Sequence, residues 1–163
     1  RLMPREYARY LGKTHADGDW HRLTTAHHDA YMCLLSSDDL SWCGVVTYAP
    51  TRYAGLAADL TERKVIKLWD ELAAERYLVV DKRTGEILTR SFIRHDNVIA
   101  KPNLTKALVA ALGRVRSTRI KRAVRDELSR LYVDHPKLAG WKQIEELLPE
   151  LFRELFAEQL GQP

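Results

Sequence analysis

A chain of 163 residues with 45% hydrophobic and 29% charged residues can close one core, and this balance excludes disordered, collagenous and low-complexity chains. No apolar run approaches the roughly 18 to 20 residues that a membrane span needs, and no signal peptide opens the sequence, so no membrane contact and a cytoplasmic location are expected. The net charge is only +4, and Cys33 and Cys43 give neither a disulfide framework nor a paired-cysteine zinc spacing, so reduced, packed thiols are expected.

Residues 1–19 carry Arg1, Arg5, Arg9 and Lys13 among Pro4, Gly12 and Gly18 without sustained periodicity, and read as a basic N-terminal arm. From Thr24 to Ser36 a hydroxyl side chain suited to an N-cap precedes Ala30, Tyr31, Leu34 and Leu35 at helical spacing, which predicts a first helix. After a polar loop over Asp38–Trp42, Gly44–Tyr48 is β-branched and aromatic and predicts a short strand. Pro50 then suits a helix start, and Thr51–Ala58 predicts a second helix of about two turns.

Thr61 offers the next N-cap oxygen, and Val65, Leu68, Trp69 and Leu72 repeat at i, i+3, i+4 and i+7, so a third, amphipathic helix runs to about Arg76. Tyr77–Asp81 and Glu86–Arg94 read as two strands of a hairpin, with Gly85 free to take positive φ in the turn. Beyond Pro102 the pattern is helical again. Leu104, Leu108, Ala111 and Leu112 form one stripe, Ser117 caps another containing Ile120, Val124, Leu128 and Leu131, and Pro136 ends it. A last helix starts near Gly140, with Pro149 placed to kink or divide it.

This order predicts a mostly α fold with a small β-hairpin wing (α+β): a winged helix-turn-helix over residues 20–98, then a helical C-terminal extension over 99–163. The extension is charge-segregated. Lys101, Lys106, Arg114, Arg116, Arg119, Lys121, Arg122 and Arg125 fall in a window with no acidic residue, whereas residues 134–163 carry six acids against three bases. The basic window points either to a polyanionic partner or to a solvated helix face that pairs with the acidic end.

In a winged helix the third helix enters the major groove and the hairpin tip touches the backbone, which makes double-stranded DNA the expected partner. With Val65, Leu68, Trp69 and Leu72 facing the core, Arg63, Lys64 and Lys67 point outward as candidate groove contacts; Arg63 is the base reader, because a guanidinium can pair two donors with guanine. Lys82 and Arg83 at the hairpin tip, and Thr51 and Arg52 at the start of the second helix, are candidate phosphate contacts. Arg114, Arg116, Arg119, Lys121 and Arg122 add basic contacts from the extension. The alternative for each is a solvated surface side chain.

Trp20, Trp42, Trp69 and Trp141 are flanked by apolar residues and are expected to pack rather than to stack on bases. No phosphate-binding glycine loop, dinucleotide fingerprint, H-E-x-x-H or G-x-S-x-G motif occurs, so neither catalysis nor a cofactor is expected. His27 and His28 are adjacent and project about 100° apart on a helix, which is wrong for two ligands of one metal.

The stretches DGDWHRLTTAHHDAYMCLLSS, GVVTYAPTRYAGLA and LTRSFIRHDNVIAKPN, within residues 17–105, resemble actinobacterial phage and prophage proteins with an N-terminal winged helix of the replisome-organiser, DnaD-like type. Phe92, Ile93, Arg94 and His95, followed by Pro102 and Asn103, resemble the segment that closes the wing in that family, although the order here is Pro-Asn rather than Asn-Pro. The resemblance implies origin DNA binding in replication initiation within a bacterial host cell. It also implies recruitment of a helicase or loader, and oligomerisation or partner binding through the helices after the wing. A transcriptional regulator of the same fold, or a phage adaptor or inhibitor that binds a host protein, are the alternatives.

Overall fold

The computed structural model of the chain describes Leu11 and residues 16–160. Most of the expected N-terminal arm therefore lies outside the described residues. A short helix, α1 (Gly18–His21), begins two residues inside that arm because the Asp17 carboxylate accepts the Asp19 amide at its start. Its Trp20 is buried and stacks on His28, with ring centroids 4.1 Å apart.

Local chemistry places the next elements. Helix α2 (Thr25–Leu35) opens on a capping box in which the Thr24 hydroxyl accepts the His27 amide and the His27 ring accepts the Thr24 amide. Strand β1 (Val45–Thr47) leads to α3 (Pro50–Ala54), which has proline in its first turn. This helix is shorter than the two turns expected through Ala58. After a turn, Thr61 caps α4 (Glu62–Ala74), whose Val65, Trp69 and Leu72 are buried. The helix stops through paired bonds, Arg76 amide to Ala73 carbonyl and Tyr77 amide to Leu72 carbonyl, with Arg76 at φ 65° where glycine is usual.

Strands β2 (Leu78–Asp81) and β3 (Glu86–Thr89) form the hairpin, with Gly85 at φ 71° in its turn. β3 lies in the middle of a three-stranded antiparallel sheet of order β1-β3-β2, and Leu88 faces Val45 on one side and Val79 on the other. The expected second strand is too long. Both the amide and the hydroxyl of Thr89 bond the Gly44 carbonyl, which ends the ladder, and Phe92–His95 is a helical turn, α5. From this turn Phe92 and Ile93, adjacent and both buried, enter the core.

After a 3₁₀ turn over Val98–Ala100, the chain continues through α6 (Pro102–Arg114) and α7 (Thr118–Asp134). The expected last helix is two helices, α8 (Trp141–Leu147) and α9 (Pro149–Leu160), divided at Leu148 ahead of Pro149. The result is a mostly helical α+β molecule with one small antiparallel sheet. A single apolar core joins the sheet and α2–α4 to α6–α8, running from Leu34, Trp69 and Ile87 to Leu108, Ile120, Leu128 and Ile144. No helix among the described residues is long and apolar enough to cross a membrane.

Candidate nucleic-acid interface

Amphipathic α4 turns its buried stripe inward, so Arg63 and Lys67, four residues apart, stand together on the outer side and are exposed. Lys64 is exposed but turned toward the preceding turn, where its ammonium donates to the Asp59 carbonyl at 2.6 Å. Farther along, the Asp70 carboxylate takes Lys82 from the hairpin tip at 3.1 Å, which ties the tip to the outer face of α4. Arg83, beside it in the turn, is exposed.

At the start of α3, the Thr51 hydroxyl donates to Glu62 at 3.1 Å and joins the N-terminal ends of α3 and α4. Arg52 pairs with Asp39 at 3.0 Å. Partial burial works to raise the Asp39 carboxyl, but bonds from the Ser37 hydroxyl, the Thr47 amide and Arg52 outweigh it and hold the group down at about 2. Thr51 and Arg52 are thus oriented by partners within the chain while remaining exposed.

The link between α6 and α7 is anchored on the hairpin. The Glu86 carboxylate, buried at 8% exposure, accepts the amides of Arg116 at 2.9 Å and Ser117 at 2.8 Å. The Ser117 hydroxyl donates to Asp81 at 2.6 Å while accepting the Ile120 amide, so one side chain both caps α7 and holds the hairpin. Arg116 then reaches the Thr84 carbonyl at 2.5 Å, and Arg119 the Val80 carbonyl at 3.4 Å. Arg116 and Arg119 are thus held against the hairpin main chain, and two stretches far apart in sequence meet there.

Burial opposes the charge on Glu86, yet the two donated amides prevail and keep its carboxyl below the usual glutamate value. A depressed folded-state pKa adds stability that is present above the unfolded value, near 4.3, and is lost as pH falls through the folded value. Glu86→Gln puts an NH₂ group against an amide donor, and we expect a loss of about 2 kcal/mol at pH 7. Urea titrations should show the gap to the parent narrowing as pH falls toward 3. A constant gap across that range would refute the assignment.

The remaining basic residues disperse. Arg114 lines a notch of about 270 Å³ between β1 and the α6–α7 link, with Asp39, Thr47 and Arg116 on its walls. Lys121 projects about 200° away from Arg119 around α7. Together with Arg125 it lines a different groove, against α6 and the α8–α9 junction. Arg122 is exposed between the two sides. The basic window is thus not one strip: Arg114, Arg116 and Arg119 stand on the hairpin side and Lys121 and Arg125 on the groove behind it. Among the described residues no ion pair joins it to the acidic end; Asp134 instead pairs with Arg94 at 2.8 Å, and Glu127 with Arg90 at 2.9 Å.

The anchors Asp70, Asp81 and Glu86 have no place in the sequence reading. The one available signal is that Asp81 and Glu86 bracket the basic turn Lys82-Arg83-Thr84-Gly85. The tryptophans pack: Trp20, Trp69 and Trp141 are buried, and the partly buried Trp42 faces Phe92 at 6.2 Å. His27 meets Glu71 at 2.7 Å and His28 bonds the Trp20 carbonyl, and no cluster among the described residues could hold a metal ion. Comparison with family models, with curated proteins and with solved structures finds no match to this chain.

Proposed function

We propose that this chain is a double-stranded-DNA-binding protein built on a winged helix-turn-helix, with α3 and α4 as the helix pair and β2–β3 as the wing. The observation that carries the reading is the set of cations on the helix-hairpin unit: Arg63 and Lys67 on the outer face of α4, Lys82 tied to that face through Asp70, and Arg116 and Arg119 held to the hairpin main chain. A duplex lying along α4 meets Lys67 and Lys82 with its phosphates while the N-terminal half of the helix faces the base edges, where Arg63 reads guanine. Thr51 and Arg52 at the start of α3 add backbone contacts. By the resemblance above, the DNA is a replication origin and the process is replication initiation.

Non-specific phosphate binding needs no known site, so it supplies the test. Fluorescence anisotropy with a random duplex and its single strand, between about 50 and 200 mM salt, should give a log-log slope for the duplex of about −4 to −8. That slope corresponds to α4, the hairpin and the α6–α7 link acting on one DNA molecule. Absence of binding to either nucleic acid at low salt would overturn the reading and redirect it to a protein partner.

A further inference from the structure

The groove on the far side of α7 is a surface of a different kind. It holds about 450 Å³ between α6, α7 and the α8–α9 junction, with an apolar floor that includes Leu112, Leu148 and Leu151. Leu147 stands on its edge and is 48% exposed, one of few large apolar side chains so open to water among the described residues. Lys121 and Arg125 form one rim, and neither enters an ion pair among the described residues. Glu150 on α9 forms the opposite rim; its side chain is 88% exposed and makes only a long surface pair with Arg153 at 4.0 Å, which a partner's cations can replace at little cost.

An apolar centre between a cationic and an anionic rim matches itself when rotated by half a turn. A two-fold axis in the interface plane, parallel to the groove, brings the α7 rim of one copy onto the α9 rim of the other, and it does so twice. Leu147 of each copy, beside Glu150, is then covered by the partner's α7 side of the groove. A purely acidic partner would meet Glu150 as a like charge, and a purely basic one would meet Lys121 and Arg125. We infer that the occupant is a second copy of this chain, and that the groove is an isologous dimer interface in which Lys121 and Arg125 pair with the partner's Glu150. It lies on the other side of α7 from the hairpin, so the dimer presents two separate DNA-binding faces and its test does not depend on DNA binding.

The test is a charge swap followed by mixing, read by sedimentation velocity and multi-angle light scattering without nucleic acid. The parent should sediment as a dimer of twice the 18.8 kDa chain mass at high micromolar concentration. Lys121→Glu with Arg125→Glu, and separately Glu150→Lys, should each place like charges across both rims and weaken self-association about tenfold or more, with unchanged far-ultraviolet circular dichroism. Mixing the two variants restores opposite charges at both rims, so the mixture should recover the dimer. A monomeric parent, variants that still dimerise like the parent, or a mixture that stays monomeric would each overturn the inference.

Discussion

Replacing Arg63, Lys64 and Lys67 together by alanine should lower duplex affinity about a hundredfold near 100 mM salt while leaving the fold intact. All three side chains are exposed, and none contributes to the buried stripe of Val65, Trp69 and Leu72. The size follows from the loss of two or three charge-assisted contacts to phosphate or base, each about 1 to 2 kcal/mol after desolvation. The salt slope should flatten by about 0.9 for every phosphate contact removed, so a change near 2 or 3 is expected. Structure also predicts an inequality within the triple change. Lys64 is committed to the Asp59 carbonyl at 2.6 Å, whereas Lys67 makes only a long, exposed pair with Glu71 at 3.8 Å and shares the outer face with Arg63, so Lys64→Ala alone should cost least. A triple variant with parental affinity and slope would remove α4 from the DNA interface and assign the phosphate contacts to the other basic residues.

Gly140→Ala should be the most destabilising single methyl addition in the described fold. A Cβ at this position would lie 2.1 Å from the Thr105 hydroxyl oxygen and 2.3 Å from the Ile99 carbonyl oxygen, far inside any tolerated contact. Neither neighbour can yield cheaply. Thr105 is buried with its hydroxyl directed at the Val98 and Lys101 carbonyls, and the Ile99 carbonyl accepts the Gly140 amide at 2.8 Å. The backbone at Gly140 is ordinary right-handed helix, so the clash alone, not the conformation, excludes a side chain. To accept one, the start of α8 must withdraw from α6 and the 3₁₀ turn, which pulls Trp141 and Ile144 from the core. Overpacking of this kind costs about 3 kcal/mol, and Tm should drop by about 6 to 12 °C in a thermal melt. Duplex binding of the still-folded protein at low temperature should stay close to parental, which separates this scaffold defect from the α4 variant. A parental Tm would show that the close contact of α6, the 3₁₀ turn and α8 is not a feature of the folded protein.

Much of the molecule was legible from local chemistry. Thr24, Thr61 and Ser117 each place an oxygen where unpaired helix amides need one, and Pro50 suits a first helical turn. The 3.6-residue repeat of Val65, Trp69 and Leu72 fixed which side of α4 stays in water, and with it the exposure of Arg63 and Lys67. The same reasoning failed at Phe92–Arg94. An aromatic and β-branched run looks like strand in isolation, but the ladder had already closed where Thr89 bonds the Gly44 carbonyl, and among the described residues no strand lies beyond it to pair with.

What no window of sequence carried is the partition of the basic segment. Glu86 and Asp81 lie 30 or more residues from the amides and hydroxyl they bind in the α6–α7 link. Such contacts have no periodicity and no spacing rule, because they depend on where two separately formed elements come to rest in three dimensions. The sequence by itself therefore determined the caps, the helix faces and the excess of cations. Only the tertiary structure decided that Arg116 and Arg119 stand beside the hairpin while Lys121 and Arg125 line a groove behind them, since a helix sends residues two apart to opposite sides and packing alone chooses what each side meets.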